Sequence, residues 1–125
     1  MAELKARQEA VVADAVAVLA ESPEWQRMAQ VRGLQTEEMS SQVARHAVRT
    51  ILSDLTLGTD LGMRENLEWF GRLDKGHRLE AKPSMYEEMF KAVFDRMEAA
   101  LDEPALRDEL RAYRAVVERL IPRTE

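Results

Sequence analysis

Apolar residues recur along this chain at spacings of three and four residues, the pattern of amphipathic helices. Six such segments are predicted, with approximate bounds Glu3–Ala20, Pro23–Arg32, Thr36–Leu57, Asp60–Lys75, Ser84–Leu101 and 104–121. No stretch shows the period-two alternation of a half-buried strand. The sequence therefore predicts an all-α protein, a single-domain antiparallel helical bundle of about five to six helices spanning residues 1–125.

Residues with capping chemistry mark the ends of these helices. Ser22 followed by Pro23 predicts an N-cap and a first helical residue. Ser84 and Glu87 have the spacing of a capping box, which places the start of the fifth helix at Ser84. Glycine is predicted to end three helices, at Gly33, Gly58 and Gly76. The segment 76–83 is predicted to be a loop.

The first helix carries an apolar residue at every seventh position. These residues are Leu4, Val11 and Val18. A seven-residue repeat is typical of a seam between two helices. The repeat predicts that helix one packs against a second copy of the chain, in a homodimer.

Composition and charge exclude several classes of protein. The formal net charge is −5, with basic and acidic residues interspersed, which argues against nucleic-acid binding. The chain has no cysteine, so it has neither disulfides nor thiolate metal sites. We find no signal peptide and no membrane-spanning segment in the sequence, and we expect a cytoplasmic protein.

The two histidines are His46 and His77. They are too few for a structural zinc site, and neither follows a glutamate by three residues as in di-iron bundles, so no metal site is predicted. Helical projection puts His46 at the edge of the apolar arc of its helix, partly exposed. Without a specific function, His46 is interpreted as a solvated helix residue and His77 as a polar loop residue.

The segment around His46 nevertheless resembles the histidine-phosphotransfer domains, which are four-helix bundles of about this size. Arg49 stands three residues after the histidine, where that family has a basic residue, but Thr50 replaces the small glycine that follows it there. The resemblance implies that His46 is a phosphoacceptor.

The fourth predicted helix contains the remaining candidate residues. Asn66 falls within the apolar arc, so its amide either bonds to a neighbouring helix, which we favour, or lines a small polar pocket. Trp69 and Phe70 are predicted to anchor the core.

The pairs Glu37–Glu38 and Glu87–Glu88 lie in first helical turns and are interpreted as partners of the helix dipole rather than as catalytic groups.

The second half of the chain, with Leu67-Glu68-Trp69-Phe70, Gly76-His77-Arg78 and a helix beginning near Tyr86, resembles the all-α, globin-like N-terminal sensor modules of stressosome RsbR-type regulators. The resemblance implies a dimeric input module that binds a small ligand or a partner protein and performs no catalysis. It makes His77 a candidate haem ligand. The candidate ligand-binding residues are Asn66, Trp69, Phe70 and His77.

The sequence favours a non-enzymatic regulatory sensor or protein-interaction module, a cytoplasmic homodimer that acts in signal transduction. No nucleophile stands at a recognisable spacing from a base, which argues against an enzyme. Two alternatives stay open: a histidine-phosphotransfer domain using His46, and a sensor that binds haem or another tetrapyrrole.

Overall fold

The computed structural model describes residues 2–77 and 83–121, and within those ranges it contains seven α-helices and no strand. The helices are α1 (Ala2–Ala6), α2 (Gln8–Leu19), α3 (Pro23–Arg32), α4 (Thr36–Leu57), α5 (Leu61–His77), α6 (Pro83–Ala99) and α7 (Pro104–Leu120). The predicted all-α helical bundle is confirmed, with one helix more than the sequence indicated.

The centre of the bundle is α4, the longest helix at 22 residues. It packs against five other helices, namely α2, α3, α5, α6 and α7. The apolar arc predicted for this helix is buried, including Val43, Ala47, Val48, Ile51 and Leu52. On the opposite side of the core, α6 packs against α2 and α7. One contiguous core therefore joins the elements of the described chain.

Methionine and aromatic side chains fill much of this core. Met85, Met89 and Met97 on α6 are all buried. The thioether side chain is flexible and fills irregular gaps between helices. Removing such a side chain from water is worth about 1.5–3 kcal/mol, so the α6 face contributes strongly to stability.

Two of the predicted glycine stops and one predicted cap are confirmed. Gly33 and Gly58 have φ values of 70° and 68° and end α3 and α4 in the left-handed conformation that glycine adopts without strain. The Ser22 hydroxyl accepts a hydrogen bond from the backbone N–H of Trp25, and Pro23 is the first residue of α3.

Three features of the predicted helices are wrong, namely one uninterrupted helix, one helix end and one helix start. The segment predicted as one helix over Glu3–Ala20 breaks at Arg7, whose backbone leaves the helical conformation (φ −104°, ψ 7°). Helix α5 continues through Gly76 to His77, because a glycine inside a helix costs only about 1 kcal/mol and permits an end without imposing one. Helix α6 begins at Pro83, so Ser84 is its second residue and not its N-cap. The rest of the predicted loop lies outside the described residues.

The predicted intermolecular seam on helix one is also wrong. Leu4 and Val11 are buried inside the chain's own core, and only Val18 is exposed, at 52%. Helix α2 uses this face to pack against α4 and α6. The seven-residue repeat is therefore explained by packing within one chain, and the homodimer stays a prediction without this support.

Ion pairs connect α6 to α7. The guanidinium of Arg114 lies 2.9 Å from Asp95 and 3.5 Å from Glu98, and it stands over the Phe94 ring at 5.6 Å. The pKa of Asp95 lies below its usual value because its carboxylate accepts a hydrogen bond from Lys91 and, as a smaller contribution, one from Arg114. These contacts tie the C-terminal helix to the bundle.

Within the described ranges, no helix is both long enough and apolar enough to cross a membrane.

Candidate functional site

An open groove runs along the outer surface between α4 and α5, and we call it the α4–α5 groove. It has a volume of about 620 Å³, which lies within the range of ligand pockets. Its lining residues are His46, Arg49, Thr50, Ser53, Gly62, Glu65, Asn66, Glu68, Trp69 and Arg72.

The two walls of the groove are antiparallel helices joined by a short turn. Three cross-helix pairs show this register: Asp54 meets Gly62, Thr50 meets Asn66, and His46 meets Trp69. Each step back by one turn along α4 corresponds to one turn forward along α5. The connection between α4 and α5, residues 58–60, therefore determines which residues of the two helices face the groove.

The start of α5 is held by Asp54, a carboxylate on α4 that is only 2% exposed. Its oxygens accept hydrogen bonds from the backbone N–H groups of Gly62 (3.0 Å) and Met63 (2.9 Å). These amides belong to the first turn of α5, where backbone donors have no partner within the helix. A negative charge is also favourable there because of the helix dipole. Asp54 thus caps a neighbouring helix and sets the geometry of the groove.

Tyr113 on α7 completes this buried cluster. Its hydroxyl donates a hydrogen bond of 2.6 Å to Asp54. Burial, followed by the hydrogen bond to the Asp54 carboxylate, raises the pKa of Tyr113 far above its ordinary value of 10.0. The phenol therefore keeps its proton, and Asp54 links three helices at one point.

Further along the groove, a chain of hydrogen bonds crosses from α5 to α4. The Asn66 side-chain N–H donates to the Thr50 hydroxyl (3.3 Å), which in turn donates to the backbone carbonyl of His46 (2.9 Å). Because the Thr50 hydrogen is already used, Asn66 must present its side-chain nitrogen there. Asn66 is 8% exposed. It satisfies both predicted interpretations, since it bonds to a neighbouring helix and lines a pocket.

An aromatic ladder forms the far end of the groove. The His46 and Trp69 rings lie 5.5 Å apart, Trp69 contacts Phe70 edge-on, and Phe70 packs on Tyr86 of α6 at 5.0 Å. Phe70 is buried as predicted, but Trp69 is 43% exposed and does not anchor the core. The indole instead offers an open surface beside an exposed imidazole.

Charged groups of both signs stand along the groove. Among the described residues, no carboxylate forms an ion pair with Arg49 or Arg72. Their neighbour Arg45, by contrast, is held by Glu9 at 2.9 Å. On the α5 wall, Glu65 and Glu68 add two carboxylates. The groove therefore presents both cations and anions to a ligand, and among the described residues Arg49 and Arg72 are not held in ion pairs.

The arrangement does not assemble a nucleophile and a base. Ser53 and His46 lie seven residues apart on α4, about 10.5 Å along the helix axis, which is far beyond hydrogen-bond reach. The Thr50 hydroxyl bonds to a backbone carbonyl rather than to the imidazole. Within the described residues, no three His, Cys, Asp or Glu side chains come together as metal ligands.

The structure brings three predicted site residues together: His46, Asn66 and Trp69 line one groove. Phe70 lies behind it in the core, and the side chain of His77 is outside the described residues, so haem ligation there stays a prediction. Sequence reasoning missed Asp54. Its position in the apolar arc, eleven residues after Val43 and seven after Ala47, was the available signal.

Comparisons of the chain with protein-family models, with curated proteins and with solved structures find no match. The resemblances to sensor modules and to phosphotransfer domains thus stay predictions.

Proposed function

We propose that this chain is a non-enzymatic regulatory module that docks a partner protein on the α4–α5 groove. One observation carries the proposal: an exposed tryptophan, Trp69, stands in a groove beside an exposed histidine and two arginines without ion pairs among the described residues. Tryptophan and arginine are the side chains most enriched at the energetic centres of protein interfaces.

The chemistry of the lining favours a partner protein over a small apolar ligand. The groove is open and carries four charged side chains, Arg49, Glu65, Glu68 and Arg72. A small apolar molecule would leave these charges solvated and gain little from them. A protein surface can pair with them and cover the indole at the same time. Homodimerisation and a cytoplasmic location stay part of this proposal.

A crosslinking experiment tests the proposal. A photoreactive phenylalanine analogue at position 69, and in a control at the exposed position Val31 on α3, is illuminated in cells that express the chain. The adduct from position 69 identifies the partner, which is then purified for binding measurements. Trp69→Ala should weaken binding by about 2 kcal/mol, roughly 30-fold, whereas Val31→Ala should change it little. Equal binding by parent and Trp69→Ala contradicts the proposal.

A second candidate function, phosphotransfer through His46, is supported by the surroundings of that side chain. His46 is exposed, and Arg49 lies one turn further along the same groove. The Thr50 methyl, which stands where the phosphotransfer family has a small glycine, points towards α5, since it lies 3.2 Å from where a Cβ on Gly62 would stand. Arg49 would hold the phosphoryl oxygens by charge-assisted hydrogen bonds.

Phosphorylation with phosphoramidate decides between the two candidates. The imidazole nitrogen attacks phosphorus, a new P–N bond forms, and ammonia leaves. The chain has only two histidines, so His46→Ala and His77→Ala form a matched pair of variants. Acid-labile label that is present on the parent and on His77→Ala, but absent from His46→Ala, supports phosphotransfer. Absence of label from the parent removes this candidate.

A further inference from the structure

A second groove lies on the other side of Arg49, between the N-terminal helices and α4. We call it the α2–α4 groove. It has a volume of about 470 Å³ and is lined by Lys5, Gln8, Arg49, Leu52, Ser53, Thr56 and Leu57. Arg49 and Ser53 also line the α4–α5 groove, whereas Lys5 and Leu57 do not, so the two surfaces can be tested separately through Lys5 and Leu57.

The charge of the α2–α4 groove is opposite to that of the chain. Two cations, Lys5 and Arg49, line it together with neutral residues only, in a protein of formal net charge −5. Among the described residues, neither cation forms an ion pair. The nearby carboxylate of Glu9 is held by Arg45 through a 2.9 Å hydrogen bond. Arg49 also contributes, after Arg45, to lowering the pKa of Glu9. The groove is thus a local positive site in which Lys5 and Arg49 have no ion-pair partner among the described residues.

An apolar side chain stands at one end of the groove. Leu57 is 73% exposed, the highest value among the large apolar residues described as exposed, whereas Leu52 beside it is buried and forms part of the floor. Arg49 and Leu57 are eight residues apart on α4, about 12 Å along the axis. The groove therefore offers a cation and an apolar contact at a fixed separation.

The walls of this groove are anchored in the core. On the N-terminal side, Leu4 is buried, and the Arg7 guanidinium donates a 3.4 Å hydrogen bond to the carbonyl of Ala100. On α4, the Thr56 hydroxyl donates to the carbonyl of Leu52 at 2.8 Å. Lys5 and Leu57 thus belong to two different helices, α1 and α4, that line one groove.

From this we infer that the α2–α4 groove docks an acidic segment of a partner protein, with a carboxylate towards Lys5 and Arg49 and an apolar side chain against Leu57. The spacing on α4 corresponds to seven or eight residues in a helical segment or to about four residues in an extended one. A small amphiphile such as a fatty acid fits less well, because the open groove would leave much of its tail in water. A protein segment brings its own surface to cover Leu57.

Selection from a displayed library of random peptides tests this inference without choosing the ligand in advance. Peptides of about 14 residues, long enough to span 12 Å in either conformation, are selected on the intact parent protein. Binders that persist on the double variant Lys5→Glu/Leu57→Ser are removed. Circular dichroism and thermal melting verify that this variant is folded, which is expected because both side chains are exposed.

The expected peptides are acidic and carry a leucine, isoleucine or phenylalanine at the stated spacing. They should bind the parent about ten-fold or more tightly than the double variant, more weakly in high salt, and equally well to Trp69→Ala and Arg72→Glu. Peptides without an acidic bias, or the failure to enrich any sequence, overturn the inference. The inference is also overturned if every peptide enriched on the parent persists on the double variant and is removed there. Loss of binding of those removed peptides to Trp69→Ala would then support the proposed role of the α4–α5 groove.

Discussion

Replacing Gly62 by alanine tests whether Asp54 caps α5 as described. Alanine normally stabilises a helix relative to glycine by up to about 1 kcal/mol. At Gly62, however, the added Cβ would stand 2.6 Å from Asp54 Oδ1 and 3.2 Å from the Thr50 methyl. The carboxylate must therefore move away from the amides that it accepts.

The magnitude follows from the hydrogen bonds at risk. Asp54 accepts three, from Gly62, Met63 and Tyr113, and each bond to a charged group is worth about 1.5–3 kcal/mol. Loss or lengthening of one or two of them outweighs the propensity gain. Gly62→Ala should destabilise the protein by about 2 kcal/mol, which lowers Tm by about 8 °C in a domain of this size.

The same helix offers a matched control. Nothing lies within 4 Å of a Cβ added at Gly71, so Gly71→Ala should raise stability by about 0.5–1 kcal/mol. Urea denaturation followed by circular dichroism measures both variants. In an Asp54→Ala background the cost of Gly62→Ala should largely vanish, because the clashing carboxylate is gone. A Gly62→Ala protein as stable as the parent would refute the capping geometry.

Three further predictions concern other parts of the bundle. Because the pKa of Tyr113 is raised in the folded protein, the stability present below pH 10 is lost as the pH rises further, by about 1.4 kcal/mol per pH unit. The Tyr113→Phe protein should lack this dependence of stability on pH, and the Tyr86→Phe protein should keep it. Arg114→Met, which removes the ion pairs between α6 and α7, should cost about 1 kcal/mol, and less in 1 M salt. Acrylamide should quench Trp69 strongly, whereas a Trp69→Phe protein, which retains only the buried Trp25, should resist quenching.

Periodicity predicted the helices because burial of one face dominates their placement. The ends were harder to predict, as two glycines of similar context show. Gly58 adopts the left-handed conformation and ends α4, whereas Gly76 stays inside α5. At Gly58 the following chain gains contacts by turning away from the axis of α4, because the turn brings α5 against α4, where Asp54 caps its first amides.

The candidate site was predictable only in part, because its key contacts join distant positions. Asp54 and Tyr113 are 59 residues apart, and no local pattern shows that they meet. Trp69 and Phe70 are neighbours whose side chains point about 100° apart. Phe70 lies in the core and Trp69 lines the groove. The apolar arc predicted for this helix was wide enough to contain both, so the sequence could not separate them. His46, in contrast, lies at the polar edge of its arc and is exposed as predicted.

The two faces of α4 separate stability from binding. Its inner face packs against five helices and carries Asp54, so changes there should destabilise the protein. Its outer face carries His46, Arg49 and Leu57, which are exposed, and substitutions at such sites usually change stability by less than about 0.5 kcal/mol. A loss of binding by Leu57→Ser with an unchanged melting curve would therefore report on the surface alone. Because Arg49 lines both grooves, partners that use its charge must compete, whereas partners that depend only on Trp69 or only on Leu57 should bind together.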